Sequence, residues 1–389
     1  MLLIALLSLF ACLISNPVLA QTGPKPGSKP EPDVIVFKNG DQLTGTLVRG
    51  AGNALIFKSD AVGVVNVSMD KIKELRTTAN FVVVANGERV TRTPVTVASR
   101  ISVQDGSLVV KDGRERTLAA KDVAYVVDEP TYNKEVTSNP GPFREWRGAV
   151  TGGATNVQGT EFGATYTVGI ALVRAVPTVP FLPPRTRTVY NLSETYGKLT
   201  SPVIPNPNAP APPPPPTVVK TSIFHTDFQH NKYFTPRMYA LGLFAFDHNL
   251  SQGMSLQQTY GAGVGGTVIK DAVQQLDVMG DINYQRLNYI PVIPADESLP
   301  NADLIGVTFG ETYKRALPLK STLSQTLNFT QPLNTPSKYQ ASGAILYTVP
   351  VYHSFGVSTS ASDSFLNVPQ VGYKKNSFQF VLGVTYTLR

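Results

Sequence analysis

The part of the chain beyond residue 145 is dominated by long segments in which apolar and polar residues alternate. Because successive side chains of a β-strand point to opposite sides, such a segment has one apolar and one polar face. In QLDVMGDINYQ, residues 275–285, the apolar face carries Leu276, Val278, Ile282 and Tyr284, and the polar face carries Asp277, Asp281, Asn283 and Gln285. At about 12 residues, a segment with this pattern has the length and the two faces of a tilted strand that crosses a bilayer.

About twelve such segments follow one another, which predicts an all-β fold with an antiparallel transmembrane β-barrel over residues 145–389. Their approximate spans are 145–156, 160–174, 184–197, 218–232, 236–249, 255–269, 274–289, 303–316, 320–332, 337–349, 351–366 and 376–388. The residues predicted to face the lumen are Asp277, Asp281, Asn283, Gln285, Thr326 and Asn328. A large soluble β-sandwich or lipocalin-like barrel is the alternative, and it would have shorter strands with charges on the outward face.

The last segment, SFQFVLGVTYTLR, is apolar at every second position. A terminal strand can remain apolar when one face contacts lipid and its edge pairs with the first strand of the barrel. Val384 is then expected to face lipid and Thr385 the lumen. The ending also resembles the C-terminal signal that the barrel assembly machinery reads, through Gly383, Tyr386 and Leu388, with Leu388 in place of the usual terminal Phe.

The connections between the segments differ in length, as the loops and turns of outer-membrane barrels do. If both barrel ends are periplasmic, the external loops include SPVIPNPNAPAPPPPPTV, PVIPADESLPN and LNVPQVGYKK, whereas IKDAV, LPLK and TVPVY are tight inner turns. One connection departs from this rule. VPTVPFLPPRT, residues 176–186, falls on the periplasmic side, where a short turn is expected.

Residues 1–20 are interpreted as a signal peptide, because an apolar run too short to span a bilayer ends in Val18-Leu19-Ala20. Its removal takes away Cys12, the single cysteine, and leaves a mature protein without disulfides. Residues 21–32 form a Pro/Gly linker. The net charge of +7 is diffuse and forms no cluster interleaved with aromatic residues. This excludes nucleic acid as the expected partner and favours outer-membrane lipid or lipopolysaccharide.

A second all-β module is predicted over residues 33–128, in the periplasm. DVIVFKNGDQLTGTLV and NFVVVANGERVTRTPV each contain two alternating runs joined by Asn-Gly, which is the signature of a two-residue hairpin turn. The module is therefore expected to be two tandem small barrels or rolls, about 33–77 and 80–128. Val34, Val36, Phe81 and Val83 are the expected core positions. Residues 129–144 are interpreted as a second linker that leads to the barrel at 145–389.

The stretch LGLFAFDHNLSQGMSLQQTYGAGVGGTVIKDAVQQLDVMGDINYQ, residues 241–285, resembles the YdiY-like family of salt-induced outer membrane proteins, whose biochemical activity is unknown. The resemblance covers roughly residues 145–389. It implies an outer-membrane barrel connected with salt or envelope stress, and it implies no reaction.

No constellation in the sequence indicates catalysis, and no catalytic, metal-binding or cofactor-binding residue is predicted. His248 and Ser251 are three residues apart at a turn, so they would face opposite sides of a strand. His225 and Asp227 share a face and could polarise a water, but no second carboxylate pair is visible. The four histidines lack metal-ligand spacing. The glycines of YGAGVGGTV precede no helix, and they more simply let neighbouring groups approach a strand.

Two classes of function remain open. The first is a passive outer-membrane barrel with a structural or narrow-channel role, because a 12-stranded barrel lies between the filled and the wide-open sizes. The second is a surface or cell-wall binding protein that uses its external Pro-rich loops or its periplasmic module, with peptidoglycan as a candidate partner. A barrel hydrolase is a weaker third hypothesis.

Overall fold

The computed structural model describes residues 31–88, 90, 98–111, 115–137, 141–158, 162–179, 181–201, 217–271, 273–292 and 298–388. Several sequence predictions lie outside these residues. They are the signal peptide (1–20), all of the first linker except residues 31 and 32, most of the second run of the hairpin predicted in NFVVVANGERVTRTPV (89 and 91–97), the polyproline run (212–216) and the tip of the loop around residue 295.

The described residues of the N-terminal module form ten short strands. They are β1 (Asp33–Phe37), β2 (Gln42–Ala51), β3 (Ala54–Ser59), β4 (Gly63–Ser68), β5 (Ile72–Arg76), β6 (Phe81–Ala85), β7 (Ile101–Gln104), β8 (Ser107–Lys111), β9 (Glu115–Ala119) and β10 (Val123–Asp128). Two 3-10 turns, Met69–Lys71 and Ala120–Asp122, precede β5 and β10 respectively. Both Asn-Gly turns have the glycine at positive φ, Gly40 at 92° and Gly87 at 83°, as the hairpin turn requires.

The two sequence repeats of the module interlock in one ten-stranded sheet. The last strand of the first repeat, β5, pairs with β1 and also with β7 of the second repeat. In the same way, β10 pairs with β6 and also with β2 of the first repeat. Each repeat therefore covers a strand edge of the other, which two separate small barrels could not do.

The core of the module lies between these interlocked repeats. It includes the fully buried Ile35, Phe57 and Leu75, together with Phe81 and Val83 of β6. On β1 the core position is Ile35, and the expected positions Val34 and Val36 are only half-buried, because they lie on the opposite face of the strand.

The segment interpreted as a linker, residues 129–144, is in part helical and packed. It forms a short α-helix, Glu129–Tyr132, that continues into a π-helical turn, Asn133–Thr137. Asp128 caps the helix by accepting a hydrogen bond from the backbone N–H of Thr131 at 3.0 Å, and Pro130 occupies a position that favours a helix start. The Pro- and Gly-rich composition that suggested a linker is therefore compatible with a capped, anchored connection.

This connection packs between the module and the barrel. Tyr132 and Val136 are buried in an apolar cluster with Val82 and Val84, which lie on the face of β6 turned away from the module core. The cluster is completed by Leu182, which belongs to the barrel. The outer face of β6 is thus covered by groups that lie outside the module.

The unusually long connection at residues 176–186 makes this contact. Besides Leu182, it places the ring of Phe181 4.5 Å from the guanidinium carbon of Arg49. The backbone N–H and the hydroxyl of Thr178 both donate to the carboxylate of Glu135, the former at 3.0 Å. The departure from the short-turn rule is explained by docking of the module onto this loop.

The C-terminal part is a closed antiparallel barrel of twelve strands, which confirms the predicted fold class. The strands are β11 (Arg147–Gln158), β12 (Phe162–Val176), β13 (Thr186–Ser201), β14 (Thr217–Tyr233), β15 (Met238–Asn249), β16 (Met254–Lys270), β17 (Gln274–Tyr289), β18 (Ala302–Ala316), β19 (Thr322–Pro332), β20 (Gln340–Tyr352), β21 (Phe355–Leu366) and β22 (Asn376–Leu388). Short 3-10 turns lie at Leu250–Gln252, Pro318–Lys320 and Pro336–Lys338. The helices within the described ranges are all too short or too polar to cross a membrane.

The barrel closes through pairing of β22 with β11, from Gly148 opposite Leu388 to Gly152 opposite Val384. Gly383 lies at this seam, where a Cβ atom would come within 2.7 Å of the carbonyl oxygen of Gly152. Close approach of the two strands therefore requires glycine at this position.

The two faces of the barrel wall differ in chemistry. On β22, Val384 is 56% exposed on the outer surface, whereas Thr385 is 3% exposed and its hydroxyl lies 3.1 Å from that of Thr151 on β11. The outer surface carries exposed large apolar side chains on most strands, among them Val168, Ile282, Ile305, Phe309, Ile345, Phe380 and Leu382. Such an exterior is suited to contact with lipid.

We predict that charge is tolerated on only one face of β20. Ile345 is exposed on the outside near the middle of the strand, and its neighbour Ala344 is exposed on the inside. An arginine at 345 would have to enter the hydrocarbon, at a cost of roughly 2–4 kcal/mol, whereas an arginine at 344 would remain in water. Ile345→Arg should therefore lower the folded, heat-modifiable fraction after refolding into lipid vesicles, and Ala344→Arg should not. An equal loss for both variants would contradict the assignment of faces.

We also predict that Leu182→Asp separates the module from the barrel. A carboxylate at this buried position would have to lie among Val82, Val84 and Tyr132, and a buried charge without a partner is costly. Limited proteolysis should then release a fragment of the size of the module faster than in the unchanged protein. Val62→Asp serves as the control, because Val62 is 61% exposed on the module. An unchanged cleavage rate in Leu182→Asp would contradict the docking.

Candidate functional site in the barrel lumen

The lumen has two unlike walls. The inward faces of β19–β22, β11 and β12 carry small side chains, among them Thr151, Thr167, Ser324, Thr326, Ser342, Ala344, Ser358, Ser360 and Ser362. The inward faces of β13–β18 carry long and ionisable side chains, among them Arg187, His225, Asp227, Asp247, Asp277, Asp281, Asn283 and Lys314. Ser342 and Ala344 point inward and are nevertheless exposed. Water therefore reaches the wall of small residues.

The six residues predicted to face the lumen lie on two strands. Asp277, Asp281, Asn283 and Gln285 are buried on β17, and the residues between them alternate to the exposed outer face. Thr326 and Asn328 lie on β19, on the same face as the buried Thr330, and are half-buried. The structure brings Asn283 close to Thr330 through Thr308, whose hydroxyl contacts both side chains at 2.8 Å.

An ion pair crosses the lumen near the end that faces the module. An Nη atom of Arg187 on β13 lies 2.6 Å from Oδ2 of Asp277 on β17. Asp277 also accepts hydrogen bonds from Thr267 at 2.6 Å and from Gln275 at 2.8 Å. The guanidinium carbon lies 5.3 Å from the ring centre of Tyr239. This network fixes the distance between two strands that are not neighbours in the sheet.

His225 is held between two carboxylates in the same lumen. Its Nδ1 lies 2.6 Å from Asp247, and its Nε2 lies 2.9 Å from Asp227, which also accepts a hydrogen bond from Asn191 at 3.0 Å. Carboxylates only accept hydrogen bonds, so both ring nitrogens act as donors in this geometry. The ring then has no lone pair with which to act as a general base toward water.

Asp247 was not predicted from the sequence. It lies directly opposite His225 on the neighbouring strand β15, and only the register of the β14–β15 hairpin brings the two together. His248, in contrast, points away from this cluster, and its Nδ1 bonds to the carbonyl oxygen of Ser255 at 2.7 Å. The His248 and Ser251 pair therefore does not form a nucleophile and base.

The mouth of the barrel far from the module is bridged by two buried glutamines. The amide nitrogen of Gln252 donates to the carbonyl oxygens of Ser364 at 2.8 Å and Lys375 at 2.6 Å. The amide nitrogen of Gln370 donates to the carbonyl oxygen of Ile290 at 2.6 Å, and its oxygen accepts from the backbone N–H of Leu299 at 2.9 Å. Each glutamine is 1% exposed. Three loops are thereby joined over one side of the mouth.

A second layer lies beneath these glutamines. Met254, Leu287, Tyr289 and Leu366 pack together although they belong to β16, β17 and β21. Below them, Gln340 bonds to Gln257 at 3.1 Å and to Gln285 at 3.3 Å, which links β20 to β16 and β17 across the lumen. At the rim, burial lowers the pKa of Lys338, whose ammonium lies 4.9 Å from the ring centre of Tyr289. We call the pair of buried glutamines, Gln252 and Gln370, the latch. The latch therefore lies on a packed layer of side chains.

Metal binding by a group of three acidic, histidine or cysteine side chains has no support in the described residues, where no such group is placed to hold an ion.

Comparison with known protein families gives one match, which lies in the barrel part of the chain. The model of a family described as "Protein of unknown function, DUF481" matches residues 215–388, which confirms the family indicated by the resemblance. No match was found among curated proteins.

Three solved structures are similar to the chain at low identity. The translocator domain of the autotransporter NalP from Neisseria meningitidis is 13% identical, with a TM-score of 0.33 over 62% of this chain and 87% of that one. The CymD monoaromatic hydrocarbon channel is 10% identical, with a TM-score of 0.26 over 79% and 86%. BamA from Haemophilus ducreyi lacking POTRA domains 1–3 is 11% identical, with a TM-score of 0.21 over 86% and 75%.

We predict that the Arg187–Asp277 pair is strongly coupled in its effect on stability. Asp277→Asn leaves the guanidinium of Arg187 without its counter-charge, and breaking a buried pair from one side costs roughly 3–5 kcal/mol. The double variant Arg187→Gln with Asp277→Asn should recover much of this loss. The free energy of unfolding in urea, measured in lipid vesicles, checks the coupling. Simple addition of the two single losses in the double variant would contradict it.

Proposed function

We propose that this chain, whose residues 215–388 belong to the DUF481 family of proteins of unknown function, is an outer-membrane barrel that serves as a narrow channel for ions and small polar solutes. Its far mouth is held closed by the latch of Gln252 and Gln370. The observation that carries the proposal is the combination of a water-accessible wall of small residues with loops that are hydrogen-bonded across one mouth.

The outer membrane is the location that suits the barrel wall. The outer surface is apolar along most strands, and the sheet has no free edge. The module lies at the end of the barrel where the turns are short, such as His353–Ser354 between β20 and β21. Short turns are typical of the periplasmic side, so we assign the module to the periplasm and the latch to the outer surface.

The partners that we propose follow from this placement. Lipopolysaccharide would surround the outer rim, and the barrel assembly machinery would read the last strand. Tyr386 and Leu388 are exposed on the lipid side of that strand, where the assembly machinery could contact them. Gly383 instead allows the close approach of β22 and β11. Peptidoglycan remains a candidate partner for the module.

A channel that is closed at rest suits an envelope whose permeability must change with conditions. The connection with salt or envelope stress, which the family resemblance implies, is therefore part of the proposal. Opening would require that the hydrogen bonds of the latch, and those of Gln340 in the layer beneath it, be exchanged for bonds to water.

The competing functions have less support. A hydrolase would need a base, and the two carboxylates bonded to His225 occupy both of its nitrogens. A binding protein that acts through the Pro-rich loop between β13 and β14 relies on residues 202–216, which lie outside the described ranges. Neither of these functions accounts for the latch or for the wall of small residues.

Single-channel recording tests the proposal. We expect the refolded protein in planar bilayers to be mostly closed with brief openings. Gln370→Ala removes at least two hydrogen bonds worth about 1 kcal/mol each and should raise the open probability roughly tenfold or more. Gln331→Ala is the matched control, because the amide of Gln331 bonds to the carbonyl oxygens of Pro332 and Pro336 next to it and, within the described ranges, joins no second loop.

The outcomes are distinct. An increase in open probability for Gln370→Ala alone supports the latched channel. Absence of any conductance in the unchanged protein and in both variants would overturn the channel and favour a purely structural barrel. An equal effect of both variants would show that the latch does not control the mouth.

A further inference from the structure

Two oxygen atoms in the middle of the lumen wall have no hydrogen-bond partner among the described residues. They are Oδ2 of Asp281 and Oδ1 of Asn283, and their residues are 5% and 3% exposed. The two side chains contact each other, because Nδ2 of Asn283 donates to Oδ1 of Asp281 at 2.7 Å. Buried polar atoms are almost always satisfied, so two orphaned oxygens on adjoining side chains require an explanation.

The carboxylate of Asp281 also lacks a counter-charge. Its interactions in the described part of the chain are burial itself and the hydrogen bond from Asn283, and no cationic side chain acts on it. Asp277, which lies on the same face of the same strand, is by contrast paired with Arg187. A buried, unpaired carboxylate is costly, so a positive charge from outside the chain would stabilise it.

The opposite strand leaves room for these two side chains. Gly261 and Gly263 of β16 lie opposite Asn283 and Asp281 respectively. A Cβ atom at 261 would lie 3.0 Å from Oδ1 of Asp281, and one at 263 would lie 2.7 Å from its Cβ. Gly261 therefore keeps space beside the carboxylate. Gly263 lets the two strands approach closely, because a Cβ there would collide with the carbonyl oxygen of Gly280. On the other side, the hydroxyls of Thr308 and Thr330 lie 2.8 Å apart, and Thr308 contacts Nδ2 of Asn283 at 2.8 Å.

From these observations we propose that Asp281 and Asn283 bind a monovalent metal cation, Na⁺ or K⁺, inside the barrel wall. The donor atoms are oxygens only, which suits a hard cation. The single carboxylate supplies one negative charge, which a monovalent ion neutralises, whereas Ca²⁺ sites in proteins draw several carboxylates. The proposal does not depend on whether the barrel conducts.

The test uses the refolded full-length protein and its folded, heat-modifiable form. The midpoint temperature at which this form is lost is measured in NaCl, in KCl and in N-methylglucamine chloride at equal ionic strength. A bound ion stabilises only the folded state, so the midpoint should rise with the logarithm of Na⁺ or K⁺ concentration and should not respond to the organic cation.

Two variants and one control localise the effect. Asp281→Asn should abolish the dependence on the metal cation. Gly261→Ala should weaken it without a change of charge. Gly280→Ala should retain it, because a Cβ there points outward and comes no closer than 3.9 Å to any group. Crystals soaked in Tl⁺, which scatters anomalously and resembles K⁺, should show a peak beside Oδ2 of Asp281.

Three results would overturn the proposal. A midpoint that is the same in all three salts, with no Tl⁺ peak, would show that water alone satisfies the oxygens. A midpoint that responds to pH but not to the metal cation would show that a proton neutralises Asp281. A cation effect that persists in Asp281→Asn would place the ion elsewhere. The soak of the unchanged protein decides the matter even if a variant fails to fold.

Discussion

The pairing of β22 with β11 is the contact on which the rest of the structure depends. It removes the last free edge of the sheet, so that every strand of the barrel is hydrogen-bonded on both sides. Only a closed wall of this kind can present an apolar exterior to lipid while its backbone polar groups stay satisfied. Closure also defines an inside, and the charged and amide side chains of β13–β18 can then meet across it. The ion pair of Arg187 and Asp277 and the latch at the far mouth both presuppose that the ring is complete.

The module is attached to this ring through one unusually long connection between strands. The connection between β12 and β13 is longer than its neighbours on the same side, and Leu182 and Phe181 from it pack against the module. Helical residues after β10 fill the space between them, with Tyr132 and Val136 buried. One face of β6 therefore belongs to the module core, and the other belongs to the interface with the barrel. The position of the module at the mouth is thus set by packing and not only by the covalent connection.

Local patterns in the sequence were sufficient for part of this description. Alternation placed the faces of β17, because a strand that buries one side cannot shift by one residue without exposing Asp281 and Asn283 to lipid. The prediction from alternation was wrong on β1. Val34, Ile35 and Val36 are all apolar, so the pattern does not indicate which of them faces the core. Contacts between distant strands could not be predicted from alternation either. Gln370 and Ile290, or Arg187 and Asp277, come together only through the curvature and stagger of the whole barrel, which no local pattern contains.

Closure at the seam can be measured directly by disulfide formation. The one cysteine of the chain, Cys12, lies in the expected signal peptide, so introduced cysteines would have no competitor in the mature protein. Val150 lies opposite Tyr386 in the paired strands β11 and β22. We expect Val150→Cys with Tyr386→Cys to form a disulfide on oxidation of the folded protein. Val150→Cys with Thr385→Cys, which is shifted by one residue to the other face, should form none. Failure of the first pair to form a disulfide, or faster formation in the shifted pair, would contradict the closed twelve-stranded barrel.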